Sequence, residues 1–164
     1  MNHSDHQDTP IFIHSFFRAG STYLFNVFRR SDHGYWCYQE PEHEMLSHLN
    51  DNADELLKFG VDITCDLRHP TLIEPYFWEF CQIKDSLTGL FKKSFSYDNY
   101  FENPTKPLPE DQRKYFETLI SAAKGRPVLQ FCRSAGRIGA INNSFGGIHI
   151  HLWRDPRNQW WSFK

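Results

Sequence analysis

The chain has 164 residues, 16% of them aromatic and 40% hydrophobic, with a formal net charge of −2. That apolar content and length suit one folded domain and exclude a disordered chain, and the charge removes any general case for nucleic-acid or anionic-membrane binding. No stretch approaches the roughly 18 apolar residues of a membrane span. The polar start MNHSDHQDTP also lacks the apolar segment of a signal peptide. Cys37, Cys65, Cys81 and Cys132 are scattered without a C-x-x-C pair. In a chain without a signal this reads as reduced thiols and a cytoplasmic location.

Residues 1–10 read as a polar tail, in which His3, Asp5 and His6 sit on too loose a chain to define a metal site. Residues 11–17, IFIHSFF, have the length and composition of a buried strand. The chain then turns through Arg18-Ala19-Gly20-Ser21-Thr22, and Tyr23, Leu24, Val27 and Phe28 recur at helical spacing. A strand, a tight turn with one glycine and two hydroxyls, and a helix start make an arrangement that binds phosphate. Amide groups point out of the turn and the helix N-terminus adds partial positive charge. Arg18 brings a full charge to that cup, and the Ser21 and Thr22 hydroxyls can donate to the same oxygens. The nucleotide-triphosphatase loop is a different pattern: Ser15 stands where its first glycine belongs, and Ser21 where its lysine belongs.

A turn at 31–34 leads to a second, aromatic strand at 35–38, ending in Gln39-Glu40-Pro41. Pro41 disfavours helix at Glu40, so Glu40 lies at the carboxyl end of that strand or just beyond it. Residues 42–60 have a helical pattern broken at Asn50-Asp51-Asn52, and 72–95 carry aromatic and aliphatic residues at roughly helical spacing. Residues 97–109, with three prolines, read as a long loop, and 110–125 as a helix with Gly125 in the C-cap position. A third strand is predicted at 127–132, a short helix at 134–144, a turn at 145–147 and a fourth strand at 148–153. His149 and His151 share one face of that strand; without a third ligand they read as packing or solvent-facing residues. Strands alternating with helical stretches indicate an α/β fold, a parallel sheet with helices on both faces.

The fourth strand runs into Arg154-Asp155-Pro156-Arg157, where Asp155 suits an N-cap and Pro156 the first helical turn. Arg154 then sits at the carboxyl end of a strand, where open α/β sheets bind ligands. Ser162 follows eight residues later with a hydroxyl able to reach the same side. An arginine and a hydroxyl converging on one point grip a phosphate monoester.

Both stretches resemble the sulfotransferases that use 3′-phosphoadenosine 5′-phosphosulfate. The turn Arg18-Ala19-Gly20-Ser21-Thr22, followed by Tyr23 and Leu24, is similar to their 5′-phosphosulfate loop, with Ala19 in place of the commoner serine. Arg154-Asp155-Pro156-Arg157 and Ser162 are similar to their 3′-phosphate segment. Tyr38-Gln39-Glu40-Pro41, and residues 128–133 with Gly136-Arg137-Ile138, resemble segments of the carbohydrate-type and bacterial members, and Glu40 matches the place of the base in the tyrosylprotein-type relatives. The resemblance covers about 11–44 and 128–164. It implies a three-layer fold of the P-loop type and transfer of a sulfuryl group to a hydroxyl or amine. The acceptor would be a small molecule or carbohydrate, with no metal required. Arg18 and Glu40 would be catalytic, with His43 and Glu42 as substitutes for the base. Residues 18–23, Arg154 and Ser162 would hold the donor. A homo-oligomer is compatible with this reading. Family members continue well past the serine, so the chain is expected to be C-terminally incomplete. Two other readings stay open: an inactive nucleotide-binding or assembly module of the same fold, and a P-loop nucleotide kinase, disfavoured by the missing lysine.

Overall fold

The computed structural model describes residues 9–59, 74–97 and 106–162. Its centre is a four-stranded sheet of β1 (Ile11–Ser15), β2 (Tyr35–Gln39), β3 (Arg126–Phe131) and β4 (Ile148–Leu152), in the order β2-β3-β1-β4. Every neighbouring pair is parallel, with Ile11 opposite both Val128 and Ile148, and Gln39 opposite Gln130. β1 is buried along its whole length, as a parallel strand between two neighbours requires, whereas β4 is the partly exposed edge.

Side-chain alternation along the strands divides the core in two. Ile11, Ile13, Cys37 and Val128 pack with Phe25, Leu24 and Phe28 of α1 (Ser21–Arg29). Phe12, Tyr38, Leu129 and Phe131 point the other way. They join Phe116 and Leu119 of α4 (Glu110–Ser121), Phe80 of α3 (Trp78–Gln82), and Ala140 and Ile141 of α5 (Ile138–Phe145). Among the described residues, the other α-helices are α2 (Ala53–Lys58) and α6 (Pro156–Trp161).

The first strand stops two residues earlier than its apolar run, and Phe16 is left half exposed in the loop. The 42–60 segment divides as expected, into a 3₁₀ turn at Glu44–His48 and α2. Within 74–97 the helical spacing gives only short pieces, α3 and the 3₁₀ turns Lys84–Leu87 and Lys93–Ser96. Its apolar residues are nonetheless core, with Phe77, Phe80, Leu87 and Phe95 all buried. The tail residues His3, Asp5 and His6, together with Cys65, Tyr100 and Phe101, lie outside the described residues.

Gly125 is not the C-cap of α4; Ala122 is. Gly125 instead lies against the Gly34 turn, where an added Cβ would stand 2.3 Å from the Gly34 carbonyl oxygen. The next amide, Arg126, donates to that same oxygen at 2.9 Å, which sets the start of β3 against the start of β2. A methyl group there must push the strands apart, so Gly125→Ala is expected to cost about 1–3 kcal/mol in a urea titration, the range of overpacking changes.

Candidate functional site

The chain leaves β1 and β3 toward opposite faces of the sheet, β1 into α1 and β3 through residues 132–137 into α5. Adjacent parallel strands that part in this way open a crevice at their carboxyl ends, the usual ligand position of such sheets.

Residues 16–20 form the loop over the carboxyl end of β1. Gly20 has φ 94°, and a Cβ there would meet nothing within 4 Å, so the loop is open above it. α1 then starts without a side-chain cap and without an acidic residue in its first turn. The Tyr23 and Leu24 amides turn back to the Gly20 carbonyl at 3.1 and 3.3 Å, which leaves the Ser21 and Thr22 amides without an intrahelical acceptor. Ser21 is buried, its hydroxyl 3.8 Å from Cys132 Sγ, and the Thr22 hydroxyl accepts from Gln39 Nε2 at 3.4 Å. Tyr23 is exposed.

Arg18 is brought together with Arg154 and Ser162, which follow it by 136 and 144 residues. Arg18 Nε donates to Ser162 Oγ and to the Ser162 carbonyl, both at 3.0 Å, and its NH2 reaches that carbonyl at 2.7 Å. Arg154 NH1 donates to the Arg18 carbonyl at 3.0 Å, and Gln159 Nε2 donates to the Phe17 carbonyl. α6 thus sits against the loop. Asp155 Oδ1 caps it by accepting from the Arg157 amide at 2.9 Å, as predicted, and Ser162 is its C-cap residue.

Glu40 follows β2, its amide donating to the Gln130 carbonyl at 2.8 Å. Its Oε1 accepts from Tyr76 at 2.9 Å and from Cys132 Sγ at 3.4 Å. Glu40, Glu42, Phe131, Cys132 and Arg133 line a narrow, shallow cleft. Burial pushes the Cys132 thiol up to about 12, so it stays protonated and donates. Among the described residues, the non-glycine positions with positive φ are Arg18 at 63° and Glu40 at 44°. That conformation costs roughly 1–2 kcal/mol for an L-residue, and such strain collects at functional sites.

The substitute bases have other roles. Glu42 is buried against Arg137, 2.6 Å away, and accepts from Gln112 Nε2 at 2.8 Å. His43 caps the 3₁₀ turn by accepting from the Met45 amide, lies between the rings of Phe59 and Phe77, and is lowered by burial. His149 is a packing residue, stacked on Phe12, and His151 is exposed.

Sequence reasoning missed the chain of hydrogen bonds that His149 completes. His149 Nε2 faces the Gly146 carbonyl at 2.9 Å, so it must donate and leave Nδ1 to accept from His14 Nε2, also at 2.9 Å. His14 Nδ1 then accepts from Ser134 Oγ at 2.7 Å. Burial, followed by the charges of His149 and His151, lowers His14 to about 3, so it is neutral throughout the physiological range. Tyr76 and Cys132 were also missed. Cys132 stands at the end of the third strand, where ligands bind, a signal available beforehand; Tyr76 offered none.

Compared with family models, curated proteins and solved structures, the chain matches none. Among the described residues no helix is long and apolar enough to cross a membrane, and no three His, Cys, Asp or Glu side chains gather to hold a metal.

Proposed function

We propose that the chain is a sulfotransferase, moving a sulfuryl group from 3′-phosphoadenosine 5′-phosphosulfate to a hydroxyl or amine acceptor. One observation carries this reading: Arg18 holds Ser162 and Arg154 holds the Arg18 carbonyl, so both arginines stand at the loop over β1, although 136 residues separate them. Two guanidinium groups, a hydroxyl and a set of uncapped amides suit a ligand with two phosphate groups. The strand order and the crevice between β1 and β3 agree with a three-layer fold of the P-loop type.

In this reading the amides of residues 19–22 cradle the 5′-phosphosulfate, while Arg154 and Ser162 hold the 3′-phosphate. The acceptor attacks sulfur in line as the bond to the bridging phosphate oxygen breaks. Charge gathers on the leaving bisphosphate, and Arg18 stabilises it after exchanging its Ser162 contacts for the ligand. Glu40 takes the acceptor's proton at the cleft. The acceptor is a small molecule or carbohydrate.

Calorimetric titration with adenosine 3′,5′-bisphosphate tests the donor site. The native chain is expected to bind. Arg18→Ala and Arg154→Ala should each weaken binding roughly 10- to 100-fold, the loss expected for one charge-assisted contact. A folded native chain that does not bind, or variants that bind as tightly as the native chain, would overturn the assignment.

A further inference from the structure

We propose that Tyr76 and Cys132 are positioning residues that fix the Glu40 carboxylate at the cleft for proton transfer. The proposal rests on the reading of Glu40 as the base of sulfuryl transfer. Tyr76 comes from the segment between the two recognisable stretches, and Cys132 from the end of β3, so three separate parts of the chain meet at one carboxyl oxygen.

Both hydrogen bonds go to Oε1, and among the described residues none reaches Oε2. One oxygen is therefore held while the other is left to accept a proton. The donors keep their protons: burial raises Cys132, and burial together with Glu40 raises Tyr76 well above its ordinary range. Gln130 Nε2 donates to Cys132 Sγ at 3.2 Å, and the thiol in turn donates to Glu40 Oε1 at 3.4 Å. The backbone is held as well, since a positive φ at Glu40 persists only where surrounding contacts over-determine it.

The titratable and charged groups around Glu40, among the described residues, come from three elements. Tyr76 precedes α3, Cys132 and Arg133 follow β3, and Glu42 and His43 follow on its own loop. Arg133 is turned toward Glu44 Oε2 at 3.0 Å and the Glu42 carbonyl at 3.2 Å. Direct donation to Glu40 thus falls to the phenol and the thiol. Both hold Oε1, so removing either loosens the carboxylate.

The test is the chemical shift of the Glu40 carboxyl carbon, read by NMR in the full chain at pH 7.5. The signal is assigned by its absence in Glu40→Gln. The native chain is compared with Tyr76→Phe, Cys132→Ala and Cys132→Ser. The expected result is a displaced carboxyl signal in Tyr76→Phe, a smaller displacement in Cys132→Ala, and recovery in Cys132→Ser, which keeps a donor. Donors that do not hold the carboxylate would leave the signal in place, and an unchanged signal in both Tyr76→Phe and Cys132→Ala overturns the proposal. The two variants alter different parts of the chain, so a folding failure in one leaves the other to decide. Adenosine 3′,5′-bisphosphate titrated into the native chain separates the two readings. A displaced signal without bisphosphate binding upholds the anchoring of Glu40 and rejects sulfuryl transfer.

Discussion

Arg137→Met is expected to destabilise the fold by about 3–5 kcal/mol, the cost of leaving one member of a buried ion pair without the other. Arg137 and Glu42 are each 2% exposed and 2.6 Å apart. Burial alone raises the Glu42 carboxyl; the Arg137 charge is the strongest influence holding it down, followed by Arg133. Without Arg137 the carboxyl must take up a proton or draw in water. The loss relative to the native chain should therefore be smaller at pH 5 than at pH 8. Urea titrations at the two pH values measure this, and an equal loss at both would contradict it. The double variant Arg137→Met/Glu42→Met should regain most of the stability, because no uncompensated charge remains.

Acidification should act through His14. Its pKa is about 3 in the fold against 6.5 for the ordinary side chain. Below pH 6.5 the unfolded chain binds a proton that the folded chain refuses. Stability is therefore fully present above about pH 7 and falls as pH drops through 6.5 toward 3, by up to about 1.4 kcal/mol per pH unit from this group. Across the whole window the loss amounts to about 4–5 kcal/mol. The protonated ring cannot accept from Ser134, so the chain of three side chains fails together. His14→Gln should be less stable at pH 7.5 and show a shallower decline between pH 6.5 and 4. Parallel slopes for the two proteins would mean that His14 does not carry the acid sensitivity.

Strand positions were largely legible in the sequence, because β1 to β3 are short apolar runs bounded by Gly, Pro or polar turns. Arg18 and Arg154 could be singled out because each lies at a strand-to-helix junction, and Ser162 because its spacing from Arg154 resembles a 3′-phosphate segment. Their direct contact could not be read, since it depends on α6 folding back on the loop through Gln159 and Phe17. The middle of the chain was less legible. Aromatic residues at helical spacing around Phe77 and Phe80 are the same for one long helix and for several short turns, and Pro75 and Gly89 allow only the turns. Gly125 looked like a helix end because that is glycine's commonest place after a helical run. Its actual role, a close approach to Gly34, depends on strand pairing that no local pattern contains.

The strand order also determines how the chain can assemble during synthesis. β1 is made first, yet both its neighbours, β3 and β4, lie roughly 120 residues or more downstream. At the usual rate of about 5–20 residues per second, the apolar segment Ile11–Ser15 waits on the order of 6–25 seconds before a partner emerges from the ribosome. Throughout that interval its backbone edges are unpaired and open to other nascent chains. Among these four strands β4 is made last, and pairing of such distant segments slows folding.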